Sequence, residues 1–302
     1  MKKTKIALCA MLALAVAFAC FAFAGCGDEI TASTPATEES FTSFAETAAL
    51  KSAEDAETGM PGFISGNGYK VEMDMTMSTE QTMSGGSVSA KTTTEMTYKA
   101  DGQLNMVKDM TGTMNVDMDF SMQTTGSSET ESGNSAVSVS IEGDSVIADG
   151  IMYVDGSCTV SGGSTTADTS TKVAMSAESV TNNLGTIVEM IPNGEISLSD
   201  YVKQLNIVYG DGEDDDAVSV YIDGNSMRIE IDGVGYIGIM YDDEGVLTAG
   251  DVVFDNYTVT SGGSSSAYST TMTTSITYKI RKTDVSTVTA PADAADYEMI
   301  EL

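Results

Sequence analysis

The chain has 302 residues, with 45 Asp and Glu against 14 Lys and Arg, for a net charge of −31. Such a surface excludes nucleic acid as a natural partner, because phosphate contacts need Lys and Arg, and it is repelled by an anionic membrane surface. The chain holds no His, the usual general base and commonest transition-metal ligand; its 41% hydrophobic residues fall in period-2 runs that point to a packed core.

The N-terminus opens with Met1, Lys2, Lys3 and Lys5, continues as an apolar run over 6–24, and reaches Gly25-Cys26 before polar sequence begins at Asp28. A basic head, an apolar run and small residues before a cleavage point are the marks of an export leader. Phe23-Ala24-Gly25-Cys26 resembles a lipobox, with Phe23 in place of the usual aliphatic residue. That resemblance implies cleavage before Cys26, a diacylglycerol thioether on its sulfur, and a location on the extracytoplasmic side of the cell membrane. Two other readings of the same residues stay open. Ala22-Phe23-Ala24 also fits a cleavage site that would release the protein, and the run is nearly long enough for an uncleaved transmembrane helix. Without 1–25, the chain loses three lysines and becomes more acidic still. Cys9 and Cys20 go with the leader and Cys26 is taken, so Cys158 stands alone and no intramolecular disulfide is available.

Residues 26–40 are rich in Ser, Thr, Glu and Pro without an apolar period, and read as a solvated tether. A single domain is expected over 41–302. A short helix over 41–56 would turn Phe41, Phe44, Ala48 and Leu50 inward. From Tyr69 the pattern switches to strict alternation, with Tyr69, Val71, Met73, Met75 and Met77 on one face of a half-buried strand. A hairpin through 84–87 returns along 91–100, and Met114, Val116, Met118, Phe120 and Met122 repeat the pattern. Further strands are expected over 135–142, 145–148 and 151–154. The Gly, Ser and Thr-rich stretches 126–135, 156–171 and 261–271 read as long solvated hairpin ends, and the second of them contains Cys158. A helix over 176–191 has Ser176 as N-cap, Glu178 in the first turn, and Pro192 after it. Its apolar stripe includes Val180, Leu184 and Ile187. A second short helix over 199–205 precedes strands over 217–223, 227–232, 235–242, 251–260 and 271–282, with turns at Asp223-Gly224-Asn225, Asp232-Gly233 and Asp243-Glu244-Gly245. The fold class is α+β and mostly β: a large antiparallel sheet with helices on one face.

No motif nominates a catalytic residue. There is no G-x-S-x-G, no P-loop, and no dinucleotide fingerprint, and a lone Cys158 without His is a poor nucleophile. Met-x-Met spacing could suit Cu(I), but any apolar strand face has the same spacing, and core lining is the simpler reading. Asp211, Glu213, Asp214, Asp215 and Asp216 lack the spacing of a calcium loop and read as a solvated turn. No metal or cofactor is expected.

With these patterns assembled, the mature chain resembles the LolA-like lipoprotein superfamily in its Gram-positive surface branch, which also includes the mycobacterial LppX and LprG type. The resemblance rests on the helix at ALKSAEDA, the strand YKVEMDMTM, the segment Asp149-Gly150-Ile151-Met152-Tyr153, the helix from Ser176, and the closing YKIRK…VTAPADAADYE. It implies an open half-barrel, a curved sheet with one or two helices packed on the concave face and acyl chains held between them. No invariant ligand residue carries over. The expected groove is lined from the helix by Val180, Leu184 and Ile187, and from the sheet by Met73, Met75, Met114, Met118 and Tyr153. Methionine suits such a surface because it is unbranched and adapts to irregular guests. The function expected is a membrane-anchored, non-enzymatic lipoprotein that binds or carries a hydrophobic or amphiphilic ligand. The rival is a surface protein with a packed core that meets wall polymer or a protein partner.

Overall fold

The computed structural model describes residues 29–85, 88–127, 132–162, 165–176, 196–209, 217–261 and 268–299. The expected leader with Cys26, the expected helix after Ser176 with Val180, Leu184 and Ile187, and the acidic run 211–216 lie outside the described residues.

Six long strands come first: β1 (Gly68–Gly85), β2 (Val88–Asn105), β3 (Thr111–Ser127), β4 (Ser132–Ala148), β5 (Ile151–Gly162) and β6 (Thr165–Ser176). They are preceded by helix α1 (Glu38–Ala49) and followed by helix α2 (Leu198–Tyr209). Then come β7 (Val218–Asp223), β8 (Ser226–Ile231), β9 (Gly235–Tyr241), β10 (Leu247–Ser261), β11 (Tyr268–Lys282), a 3-10 turn and the two-residue β12 (Glu298–Met299). All twelve join in one open sheet, ordered β12-β6-β5-β4-β3-β2-β1-β11-β10-β9-β8-β7. Every neighbouring pair is antiparallel except β12 with β6. The α+β, mostly β open sheet read from the sequence is therefore the observed architecture.

Chain-local chemistry explains the long hairpins. Asp149 and Gly150 both take positive φ, 55° and 73°, and Ala148 pairs directly with Ile151 across them. Positive φ at both central residues is the turn whose twist matches that of paired strands. Gly143 and Gly156 face each other on β4 and β5, and a Cβ on Gly156 would lie 2.8 Å from the Glu142 carbonyl oxygen. Glycine suits that close backbone approach in a strand interior.

The Ser and Thr-rich stretches expected at solvated hairpin ends are largely strand instead. Residues 156–162 belong to β5 and 165–171 to β6, while 261 and 268–271 extend β10 and β11. The ladder uses backbone groups whatever the side chain, and β-branched Thr suits a pleated surface. The expected strands over 135–142 and 145–148 likewise merge into β4.

Thr37 caps α1. Its Oγ1 accepts from the Ser40 N–H at 3.2 Å, and its own N–H donates to the Ser40 Oγ at 2.9 Å. The helix thus starts before residue 41 and ends well short of 56, leaving Leu50 exposed while Phe41, Phe44, Ala45 and Ala48 are buried. Phe44 packs 5.7 Å from Tyr241, Phe63 meets the same ring edge-on at 6.4 Å, and Phe41 lies 5.3 Å from Tyr201 of α2. Both helices therefore sit at the β7–β9 end, on the sheet face that carries Tyr241. No helix among the described residues is long and apolar enough to cross a membrane.

The expected solvated tether over 26–40 is corrected from residue 29 onward. Ile30 and Ala32 are buried, the Ile30 N–H donates to Asp251 Oδ2 at 3.0 Å, and the Ser33 N–H to Asp223 Oδ2 at 2.7 Å. The Ala36 N–H donates to the Val220 carbonyl, and the Ile222 N–H to the Thr34 carbonyl, each at 2.9 Å. This segment straps the open edge of β7, satisfying groups that would otherwise template foreign strands. At the other edge, β12 pairs with β6 through Glu298 and Val173.

Candidate functional site

The register is unbroken from β1 to β6, so alternate residues define two faces without ambiguity. One inner row runs Met75–Tyr98–Met118–Ile141–Cys158 across β1 to β5, and Met75 continues to Ile276 of β11. The next row toward the hairpin ends runs Met77–Met96–Phe120–Val139–Val160. Met73, Met75, Met114 and Met118, four of the residues expected to line a groove, thus share this face. Cross-strand neighbours on one face touch directly, so the rows form one continuous apolar surface.

Tyr153 does not belong there. It pairs with Val146 and Ala174 on the opposite face, where its ring meets Tyr297 edge-on at 5.3 Å. Sequence alternation places Tyr153 one residue out of step with Met152 and Val154, a parity that only the register with β4 converts into a face. Cys158, expected in a solvated loop, is a buried inner-face residue of β5 opposite Ile141.

Burial along the face is graded. Met114 and Met118 are buried, as is Ile147 near the base. Met75, Met77, Met96 and Phe120 are only partly buried, and Met83, Met122 and Val137, nearest the hairpin ends, are exposed at 52%, 38% and 38%. The face is closed toward the base of the strands and open toward the hairpin ends.

Charge is segregated as sharply. From the Val71 row to the hairpin ends, no Asp, Glu, Lys or Arg occupies the inner face of β1–β6, β10 or β11 among the described residues. The ionic side chains of these strands point the other way, among them Glu72, Asp74, Lys99, Asp117 and Glu142, with bridges such as Lys91–Glu80 at 2.7 Å. Two depressions of about 430 and 560 Å³ are lined by charged residues such as Glu72 and Lys99 in one, Arg228 and Asp255 in the other.

Some polar atoms near the base have partners, while the buried Thr111 hydroxyl has none among the described residues. Tyr69 Oη donates to the Leu247 carbonyl at 3.0 Å, and Ser145 Oγ to the Met114 carbonyl at 3.2 Å. Tyr98, only 1% exposed, has no hydrogen-bond partner for its hydroxyl among the described residues. The Tyr241 hydroxyl is also unpartnered, inside the closed aromatic cluster, and burial there pushes its phenol pKa up. Alternation along 91–100 puts Tyr98 on one face with Thr94 and Met96, but nothing in that pattern singles it out as a groove residue. Among the described residues, no group of three acidic, Cys or His side chains could hold a metal ion. Comparison of the chain with protein-family models, curated proteins and solved structures finds no match.

Proposed function

We propose that this chain is a membrane-anchored extracytoplasmic lipoprotein, held by a lipid on Cys26, that binds or carries a hydrophobic or amphiphilic ligand on the inner face of its sheet and does no covalent chemistry. The observation that carries the reading is the graded Met-rich face, packed near Met114 and open at Met122, with no charge along it. Exposed Met83, Met122 and Val137 continue the partly buried Met77–Met96–Phe120 row outward, and methionine supplies adaptable contact. We read the chain as a divergent relative of the LolA-like lipoproteins, a reading supported by the open curved sheet and the helices on its inner face.

The near-complete burial of Met114, Met118 and Ile141 favours the rival, a packed-core surface protein that meets wall polymer or a protein partner. Mass spectrometry of small molecules extracted from the protein purified out of membranes decides between them. Stoichiometric amounts of one apolar compound class are expected. A protein that carries none, and that also fails to bind diphenylhexatriene, is the packed-core surface protein.

A further inference from the structure

Buried rows seldom carry charge, but the outer rows of this face, where Met83, Met122 and Val137 are exposed, have room for a carboxylate or lysine. Among the described residues the face holds none from the Val71 row to the hairpin ends, and the Tyr98 hydroxyl within it lacks a hydrogen-bond partner there. Both facts bear on what the face can accept. A ligand that brought a carboxylate or phosphate onto this surface would leave its charge without a counter-ion among the methionines, at a large desolvation cost. A pure hydrocarbon would leave the Tyr98 hydroxyl unsatisfied, which native interiors avoid. An uncharged ligand with an acceptor oxygen meets both conditions, because the phenol can donate to it. Tyr241 does not compete for this role, since Phe44 and Phe63 close around its ring. Tyr98 instead lies beside Met75 and Met118, and the row next to it, Met77–Met96–Phe120, is already partly open.

We propose that the inner face selects uncharged, oxygen-bearing amphiphiles of the ester class over ionised fatty acids, and that Tyr98 is the residue that sets this preference by donating a hydrogen bond to the ligand's carbonyl oxygen. The inference rests on the ligand-carrier reading above and sharpens it to a ligand class. A buried group of this kind discriminates strongly, because the wrong ligand leaves it unpaired.

The test uses the full-length protein in detergent, immobilised, with three radiolabelled probes of one chain length: a fatty methyl ester, the corresponding fatty acid well above its carboxyl pKa, and the corresponding alkane. Retention is counted over blank micelles for wild type and for Tyr98→Phe. Wild type is expected to retain the ester roughly tenfold better than the ionised acid, and Tyr98→Phe to lose roughly tenfold toward the ester while holding the alkane unchanged. Urea melts without probe control for folding. Tyr98→Phe should be at least as stable as wild type, because the hydroxyl it removes has no protein partner. A destabilised Tyr98→Phe, equal retention of ester by both proteins, or acid retained as well as ester would each overturn the inference and leave the carrier reading standing. Retention of none of the three probes by wild type would overturn both.

Discussion

Asp251 and Arg281 form an ion pair across β10 and β11, Oδ1 to Nη1 at 2.6 Å, with the carboxylate wholly buried. The second oxygen of Asp251 accepts the Ile30 N–H, so one carboxylate ties the N-terminal strap to the sheet. Removing one partner of a buried pair leaves the other charge uncompensated, typically at about 3–5 kcal/mol. Asp251→Ala should lower stability by that order in urea melts. It should also open residues 29–36 to protease under conditions where the wild type is intact. Cleavage unchanged from wild type would show that the strap is held by other contacts.

The gradient of burial along the inner face separates stability from binding. Met114→Ala leaves a void in a closed region and should cost about 2–5 kcal/mol. Met122→Ala, at the open end, should change stability by no more than about 0.5 kcal/mol yet weaken retention of an apolar probe. Tyr153→Phe, on the opposite face, should leave retention unchanged. If Met122→Ala destabilises as much as Met114→Ala and binds the probe normally, the outer rows are core rather than site.

Both edge straps are held by carboxylates whose pKa values fall below the usual range. For Asp223 the Thr34 hydroxyl and the Ser33 N–H favour the ionised form, and for Asp293 the Lys172 ammonium does so. A depressed folded-state pKa contributes stability that is present above the unfolded value, about 3.9, and is lost as pH falls through the folded value. Hydrogen exchange should therefore stay slow at residues 33–36 and 298–299 down to about pH 4 and quicken below it, before the β1–β2 ladder opens. Exchange that rises at all sites together would instead indicate global acid unfolding.

Cys26→Ala should abolish membrane retention while leaving the urea midpoint of the body unchanged, because the packed segment begins only at Ile30. Fractionation beside a melt checks both halves. Continued membrane retention would mean that the apolar run over 6–24 remains as an uncleaved helix.

Much of this architecture could be read from local pattern. Period-2 alternation at Tyr69–Met77 and Met114–Met122 depends only on which residues repel water, and Asp149-Gly150 is a turn in any context that pairs its flanks. The basic head and apolar run over 1–24, the absent His and the acidic excess are likewise properties of the chain alone. Only the tertiary structure decided matters that depend on distant partners. Residues 29–36 look like tether by composition and become a strap because the β7 edge and Asp251, 221 residues from Ile30, supply their hydrogen bonds. Thr-rich 165–171 becomes strand because β5 lies beside it. Tyr153 and Tyr98 illustrate the same limit at the site. Each is a tyrosine in an alternating run, and the cross-strand register turned one toward Tyr297 and left the other buried among methionines with a free hydroxyl. Alternation divides a strand into two faces, but long-range pairing determines what each face meets.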